Sequence, residues 1–389
     1  MTAEPAPATS TCWCGGALGG EIGPHYRRCV ECGAAVLSAK PGPRHFDVID
    51  DARDFYGKSY WTEYSMARSF PAIGERARAD LSERCLFWLE RLLEVVRPPG
   101  RALEIGCGHG GFVRLMRELG FDAMGTELSP WVVDFARRTF DVPVRQGRLE
   151  TLALEPGFVC IAAFDVLEHL EDPLDTARRC ARLLAPDGVL VLQMPWYRGE
   201  GPDWSMLQED EHIHLFTEES IRLLLGRAGF GEVRVEPSLF PYDMWVAAAP
   251  GRLRVRETDA ARETDGWRLP TAFRALLDLA ARVREIEADR ADRLAQVEEL
   301  TEWLREAEAA RRADVEEMGR LLREADADRA ARLDQIHKLT GWLGESEADR
   351  AARLVVIHAL EARLKEIEGT WGWRLYSAIT SLTTREKRS

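Results

Sequence analysis

The sequence predicts an α/β fold built on a doubly wound, mainly parallel sheet of seven strands, with a small cysteine-bearing module before it and a long helix after it. Three observations predict this. A short apolar run, Leu103-Glu104-Ile105, ends in Gly106, Gly108, Gly110 and Gly111 before a helical pattern begins. Strand-like and helix-like stretches then alternate as far as Ala249. Past Leu269, a unit with helical spacing repeats itself.

At 389 residues the chain has room for one catalytic domain and smaller pieces. Its net charge of -13 excludes nucleic acid as the expected partner, because phosphate binding wants a basic face. No apolar run approaches the roughly 20 residues that span a bilayer. Met1 to Thr11 lacks both a basic stretch and an apolar one, so the expected location is cytoplasmic. Cys85, Cys107, Cys160 and Cys180 are scattered through apolar patterns and read as small core residues.

The other four cysteines fall in residues 1–45, as Cys12-Trp13-Cys14-Gly15-Gly16 and Cys29-Val30-Glu31-Cys32-Gly33. Two close pairs can give four thiolates to one tetrahedral, structural Zn²⁺, and the glycines permit the turns around it. A segment this short buries little core, so a metal would supply much of its folding energy. His25 is an alternative ligand, and a redox pair or plain thiols are alternative uses.

Lys40-Pro-Gly-Pro-Arg44 marks a linker. Residues 46–98 read as a helical linker or lid: the aromatic run Asp54–Trp61 precedes a helix over Glu75–Val96, which Arg97-Pro98-Pro99-Gly100 stops. The aromatic run is expected chiefly to pack between the cysteine module and the main domain, with a lid over the glycine loop as the alternative.

Residues 99–250 form the main domain. Strands are expected over 101–105, 121–127, 142–146, 158–163 and 188–194, with a final pair over 232–235 and 244–248. Helices are expected over 111–119, 132–140, 173–184 and 218–228. Ligands of such a sheet sit at the carboxyl ends of its strands. Glycines there let the backbone approach a ligand, and the amides opening the next helix favour an anion or polar group. Gly106, Gly108 and Gly111 also fit G-x-G-x-x-G, so a nicotinamide cofactor is an alternative at this stage. Glu127 ends the second strand about 20 residues on, where an acid can accept both hydroxyls of a ribose.

Leu103-Glu104-Ile105-Gly106-Cys107-Gly108-His109-Gly110 resembles the first motif of class I S-adenosylmethionine-dependent methyltransferases. Gly125–Pro130 resembles their ribose-binding strand end, and Phe164–Pro173 the segment after their fourth strand. Leu184–Leu190, His212–Thr217 and Ala228-Gly229-Phe230 resemble later landmarks. The likeness spans roughly Pro99 to Ala249. It implies a Rossmann-like methyltransferase fold and S-adenosylmethionine as cofactor. By position it implies Gly106, Gly108 and Gly110 along the methionine and ribose, Glu104 near the amino group, Glu127 on the ribose and Leu128 on the adenine. Arg148, Leu149 and Asp165 also fall at the cofactor, Arg148 standing where the family often has an acid that reads the adenine amine.

Methyl transfer to a hydroxyl needs alignment and a base. His169, just past the fourth strand, and His212 and His214, past the fifth, are the candidates, since imidazole accepts protons near neutral pH. Bracing of loops is their alternative role.

Residues 251–269 read as a charged linker and 270–367 as a coiled coil. Glu287–Ala307 recurs as Asp326–Ser346 and Glu347–Ile367, with a unit shortened by three residues at Glu308–Ala325. Apolar spacing with Glu and Arg elsewhere suggests a homo-oligomer or a partner protein, folding back on the main domain being the alternative. The tail, 368–389, is aromatic and then basic, and resembles the ends of some coiled-coil enzymes of bacterial surface-polysaccharide clusters. Trp371, Trp373, Tyr376 and Ile379 beside basic residues suggest docking to a partner or the inner membrane face, an end cap of the coiled coil being the alternative, while the likeness implies a glycan acceptor methylated on a sugar hydroxyl. A small secondary metabolite or quinone-like ring is the alternative acceptor, and an inactive scaffold the alternative protein.

Overall fold

The computed structural model describes residues 11–39, 47–64, 71–254, 269–372, 374–377 and 380. The expected linker at 40–44, most of that at 251–269, and Trp373, Ile379 and Arg385–Arg388 of the tail lie outside the described residues. The chain divides into two units, Met1–Ala288 and Asp289–Ser389.

In the first unit, β1 (Leu18–Ile22), β2 (Tyr26–Cys29) and β3 (Ala35–Leu37) form an antiparallel meander. Helix α1 (Ile73–Asp80), a π-helical turn (Leu81–Cys85) and α2 (Leu86–Val95) follow, where one regular helix was expected. The main sheet alternates with helices: β4 (Gly100–Ile105), α3 (Gly111–Glu118), β5 (Phe121–Glu127), α4 (Pro130–Phe140), β6 (Val144–Gln146), β7 (Phe158–Phe164), α5 (Pro173–Leu183) and β8 (Leu184–Pro195). A two-residue strand β9 (His214–Leu215) lies outside this sheet, and α6 (Glu218–Ala228), β10 (Glu232–Pro237) and β11 (Asp243–Ala249) complete it.

The seven strands lie in the order β10-β11-β8-β7-β4-β5-β6. All neighbours from β8 to β6 are parallel, and β11 runs against both β8 and β10. The chain winds outward from β4 through β5 to β6, then returns to the other side of β4 with β7. That reversal opens a crevice at the carboxyl ends of β4 and β7. Alternate side chains feed two cores, because successive residues of a strand point to opposite faces. Leu89, Phe112, Met116 and Trp245 fill one; Leu103, Ile161, Leu192 and Leu224 fill the other.

Helix starts follow local chemistry. The Ser129 hydroxyl accepts the Val132 amide and Pro130 opens α4; Asp172 caps α5, and Thr217 with Ser220 forms a reciprocal cap on α6.

The cysteine module is not free-standing. β3 pairs antiparallel with β9, making a second sheet of order β1-β2-β3-β9. The Leu37 amide donates to the Ile213 carbonyl at 3.0 Å, and the Tyr26 hydroxyl to the His212 carbonyl at 2.7 Å.

Helix α7 (Thr271–Gly369) begins in the first unit, where Leu277 and Ala280 are buried and Arg284 pairs with Glu90 at 2.6 Å. In the second unit, the apolar residues from Leu294 to Ile367 are exposed. Among the described residues, no helix is long and apolar enough to cross a membrane.

Candidate active site

The turn after β4 exists because Gly106, Gly108 and Gly110 all take positive φ, at 67°, 48° and 84°. A Cβ on Gly108 would stand 3.2 Å from Trp61, close enough that the ring would have to shift. Glu127, at the end of β5, is buried and accepts the amides of Gly108 (3.1 Å), Leu128 (2.7 Å) and Ser129 (3.3 Å). Burial still raises its pKa, against those three amides. Glu104 is buried beneath the loop and one of its oxygens has no hydrogen-bond partner. Burial holds its pKa well above the usual carboxylate range.

A cavity of about 480 Å³ opens from this loop. Glu104, Gly106, Gly108, Glu127, Leu128, Arg148, Leu149 and Asp165 line one side. Arg148 pairs with Asp47 at 2.7 Å, and Ser129 donates to Asp51 at 2.6 Å, so the segment before α1 closes over the end of β5. Asp165 sits at φ 55°, a strained backbone that suits a functional turn. The Arg84 guanidinium holds it at 2.5 Å.

Tyr56, Tyr60, Trp61 and Tyr64 line the rest of the wall with Glu168, His169, Glu211 and His212, Trp61 standing against the glycine loop. The aromatic run therefore walls the cavity, contrary to its expected packing role, because its rings stack on one another and reach the histidines. Tyr56 meets His169 at 3.1 Å, and Tyr60 donates to Glu211 at 2.9 Å. His169 Nδ1 lies 2.8 Å from the Glu211 carbonyl, which only accepts, so Nδ1 carries the proton and Nε2 the lone pair. His212 Nδ1 stands likewise 2.7 Å from the Met206 carbonyl. Glu168 is buried, neither of its oxygens has a hydrogen-bond partner, and His169 Nε2 is 3.9 Å away. Burial, reinforced by Asp165, raises the Glu168 pKa well above its ordinary value.

These features meet a known family. Residues 77–234 match the model of a methyltransferase domain. An O-methyltransferase of ubiquinone biosynthesis from Xanthomonas campestris pv. campestris (strain B100) is 38% identical over 105 residues, covering 25% of this chain and 44% of that protein. Its counterpart in Xanthomonas oryzae pv. oryzae (strain PXO99A) is 36% identical over 99 residues, covering 24% and 41%. The chain thus spans less than half the length of these curated relatives. Among solved structures, an S-adenosylmethionine-dependent methyltransferase from Thermotoga maritima is similar at 20% identity and TM-score 0.37, covering 46% of this chain and 96% of that one. Streptomyces venezuelae DesVI is similar at 18% identity and TM-score 0.38, covering 44% and 92%.

Two residues expected in the site lie elsewhere. Gly110 does not line the cavity; its positive φ brings the backbone against α4, where a Cβ would come within 2.9 Å of Ala136. His214 is wholly buried on β9 beside Phe216 and is also outside the cavity lining, because it joins the strand that pairs with β3 while His212 stays on the loop before it. Sequence reasoning missed Arg84 and Asp243, which lie outside the recognisable motifs, and reached Tyr56 and Tyr60 only through the lid alternative for the aromatic run. Asp243, facing Asp165 and Arg84, has its pKa pushed up to about 8, mainly by burial.

The four N-terminal cysteines converge, with all ligand atoms within 4.8 Å of one another. Cys12 and Cys32 Sγ are 3.7 Å apart, and Cys14 and Cys29 3.5 Å. The Gly16 and Cys32 amides point at Cys14 and Cys29 sulfurs. The hydrogen bond from Cys12 brings the Cys32 thiol down to about 6. His25 instead pairs with Glu209 at 2.9 Å.

Proposed function

We propose that the protein is an S-adenosylmethionine-dependent O-methyltransferase acting on a hydroxyl of a flat ring. The observation that carries this is the buried pair Glu104 and Glu127 flanking a glycine loop with positive φ. The sulfonium cofactor brings an ammonium and two ribose hydroxyls. Glu104, with one oxygen unpartnered, suits the ammonium, and Glu127 suits the hydroxyls. Arg148 pairs with Asp47 and lines the cavity where an acid would read the adenine amine, so the adenine contacts we assign are Leu128, Leu149 and backbone groups.

In the transfer, the acceptor oxygen attacks the methyl carbon, the carbon–sulfur bond breaks to leave a thioether, and the hydroxyl proton passes to a base. His169 Nε2 is the base we assign, because its tautomer leaves a lone pair facing the cavity beside Glu168. Tyr56, Tyr60 and Trp61 exclude water and offer faces to a ring. The relatives of ubiquinone biosynthesis favour a quinone-like phenol over the expected sugar hydroxyl, for which they offer no support. Glu168, His169 and His212 also have ligand atoms within 4.8 Å of one another; a divalent cation held there would take up the His169 Nε2 lone pair and would itself lower the hydroxyl pKa, in place of the base. The four cysteines fit a structural Zn²⁺.

Calorimetric titration with S-adenosylmethionine, S-adenosylhomocysteine and NAD, with Glu127→Ala alongside, tests the reading. Binding of both sulfur cofactors, weakened by the substitution, supports it. No binding to a folded sample overturns it and leaves the scaffold reading in its place.

A further inference from the structure

The apolar face of the second unit has a regular plan. From Val315 onward one set of positions recurs strictly every seven residues: Val315, Leu322, Ile336, Leu343, Ile357 and Leu364. Three residues after members of this set stand Met318, Leu339, Leu360 and Ile367. These are the a and d positions of a heptad. Val297 with Leu300, and Leu304 with Ala307, repeat the pattern upstream of the shortened unit. These side chains are unpartnered: Ile336 is 54% exposed and Leu360 63%. A helix with such an apolar seam, interrupted by charged layers, is marginal in water until the seam is covered.

The residues name the occupant. Each unit places a β-branched residue at a and Leu or Met at the next d (Val315 and Met318, Ile336 and Leu339, Ile357 and Leu360), the choice that favours two parallel strands. The third heptad of a unit instead carries arginine at both positions, Arg329 with Arg332 and Arg350 with Arg353. Acids stand at the preceding g positions, Asp328 and Asp349. In a parallel pair, a g residue flanks the a residue of the other helix, so each of these aspartates meets an arginine of its copy. The same aspartates already hold Arg332 and Arg353 of their own helix, at 2.8 and 2.7 Å. Charged layers thus match charged layers, and apolar match apolar, when a second copy aligns without slip. A slip by one long unit would set the 18-residue unit out of phase.

We propose that residues 294–367 pair with the same residues of a second copy as a parallel, in-register, two-stranded coiled coil. The seam of each copy covers that of the other, and the arginine layers set the register rather than the strength.

Light scattering on the zinc-replete full chain, with disulfide trapping of single substitutions, tests this. The expected mass is about twice that of the 43.9 kDa chain. Leu364→Cys, at an a position far from the middle of the seam, is expected to give a disulfide-linked dimer under mild oxidation. Lys365→Cys, which faces outward, is not, and neither is the wild-type chain, whose eight cysteines all precede the helix. Leu339→Asp combined with Leu360→Asp is expected to give a monomer with an unchanged near-ultraviolet spectrum of the α/β unit. A monomeric or higher-order wild-type protein, or no trapping at Leu364→Cys, overturns the proposal. None of these readouts depends on cofactor binding or turnover.

Discussion

Glu104, Gly106, Gly108 and Glu127 reach the cavity from a single β-α-β unit, whereas Tyr60 and Glu211, which touch within its aromatic and histidine wall, are 151 residues apart in the chain. The glycine-loop side is stiff and local: its carboxylates are fixed by backbone amides and its turns by positive φ. The histidine side is a composite of three segments, held by contacts among tyrosines, histidines and acids. One side is shaped for a constant ligand; the other can be re-cut by changing distant segments. This is how one fold keeps a cofactor while acceptors vary.

Substitutions on the two sides should therefore separate binding from turnover. The largest effect is expected at His169→Ala, lowering turnover by about 10²–10⁴-fold while leaving S-adenosylmethionine affinity unchanged in calorimetry. A loss of both would mean that the two sides are not independent. Glu127→Ala should do the converse, weakening cofactor binding by at least roughly tenfold, as expected for a carboxylate that satisfies several polar groups. Tyr60→Phe removes one hydrogen bond to Glu211 and should raise the acceptor KM a few-fold, the cost of about 1 kcal/mol, with cofactor affinity intact.

A fourth test concerns stability. Asp243 is protonated more readily in the folded chain than in the unfolded one, so its folded-state pKa, about 8, lies above the unfolded value. Stability from this group is fully present below the ordinary carboxylate range and is lost as pH rises toward 8. Asp165, which opposes ionisation, and Arg84, which favours it, both face the group. Asp243→Asn should flatten the fall of the unfolding midpoint between pH 5 and 8. An unchanged slope would assign that fall to Glu104 and Glu168 instead. Smallest in reach, Cys32→Ser should lower bound zinc and the unfolding midpoint together, read by metal analysis and calorimetry.

The glycine-loop side was legible in the sequence because its physics is local. Positive φ demands glycine at Gly106 and Gly108, and a strand-end acid at Glu127 lies a fixed distance downstream. Strand and helix order followed from periodicity, and β5 and α6 have the bounds expected of them. What periodicity does not encode is which remote segments meet. Tyr56 and Tyr60 looked like packing residues because nothing nearby shows that they end beside His169. His212 and His214 looked alike, and only the pairing of β9 with β3 parts them: His214 joins the strand and His212 stays on the loop before it. The π-helical turn was invisible for a similar reason, since Leu81–Cys85 continues an ordinary helical pattern.

The bond from Tyr26 to the His212 carbonyl spans 186 residues, and β3 closes onto β9 at the same place. During synthesis, then, the cysteine meander leaves the ribosome long before the strand that covers its edge exists. Until residue 215 emerges, β3 is a bare edge, open to wrong partners. Four cysteines within 21 residues can be ligated at once, locally, with little loop to close. A metal there would act first as a placeholder in time, keeping the edge in shape until its strand arrives.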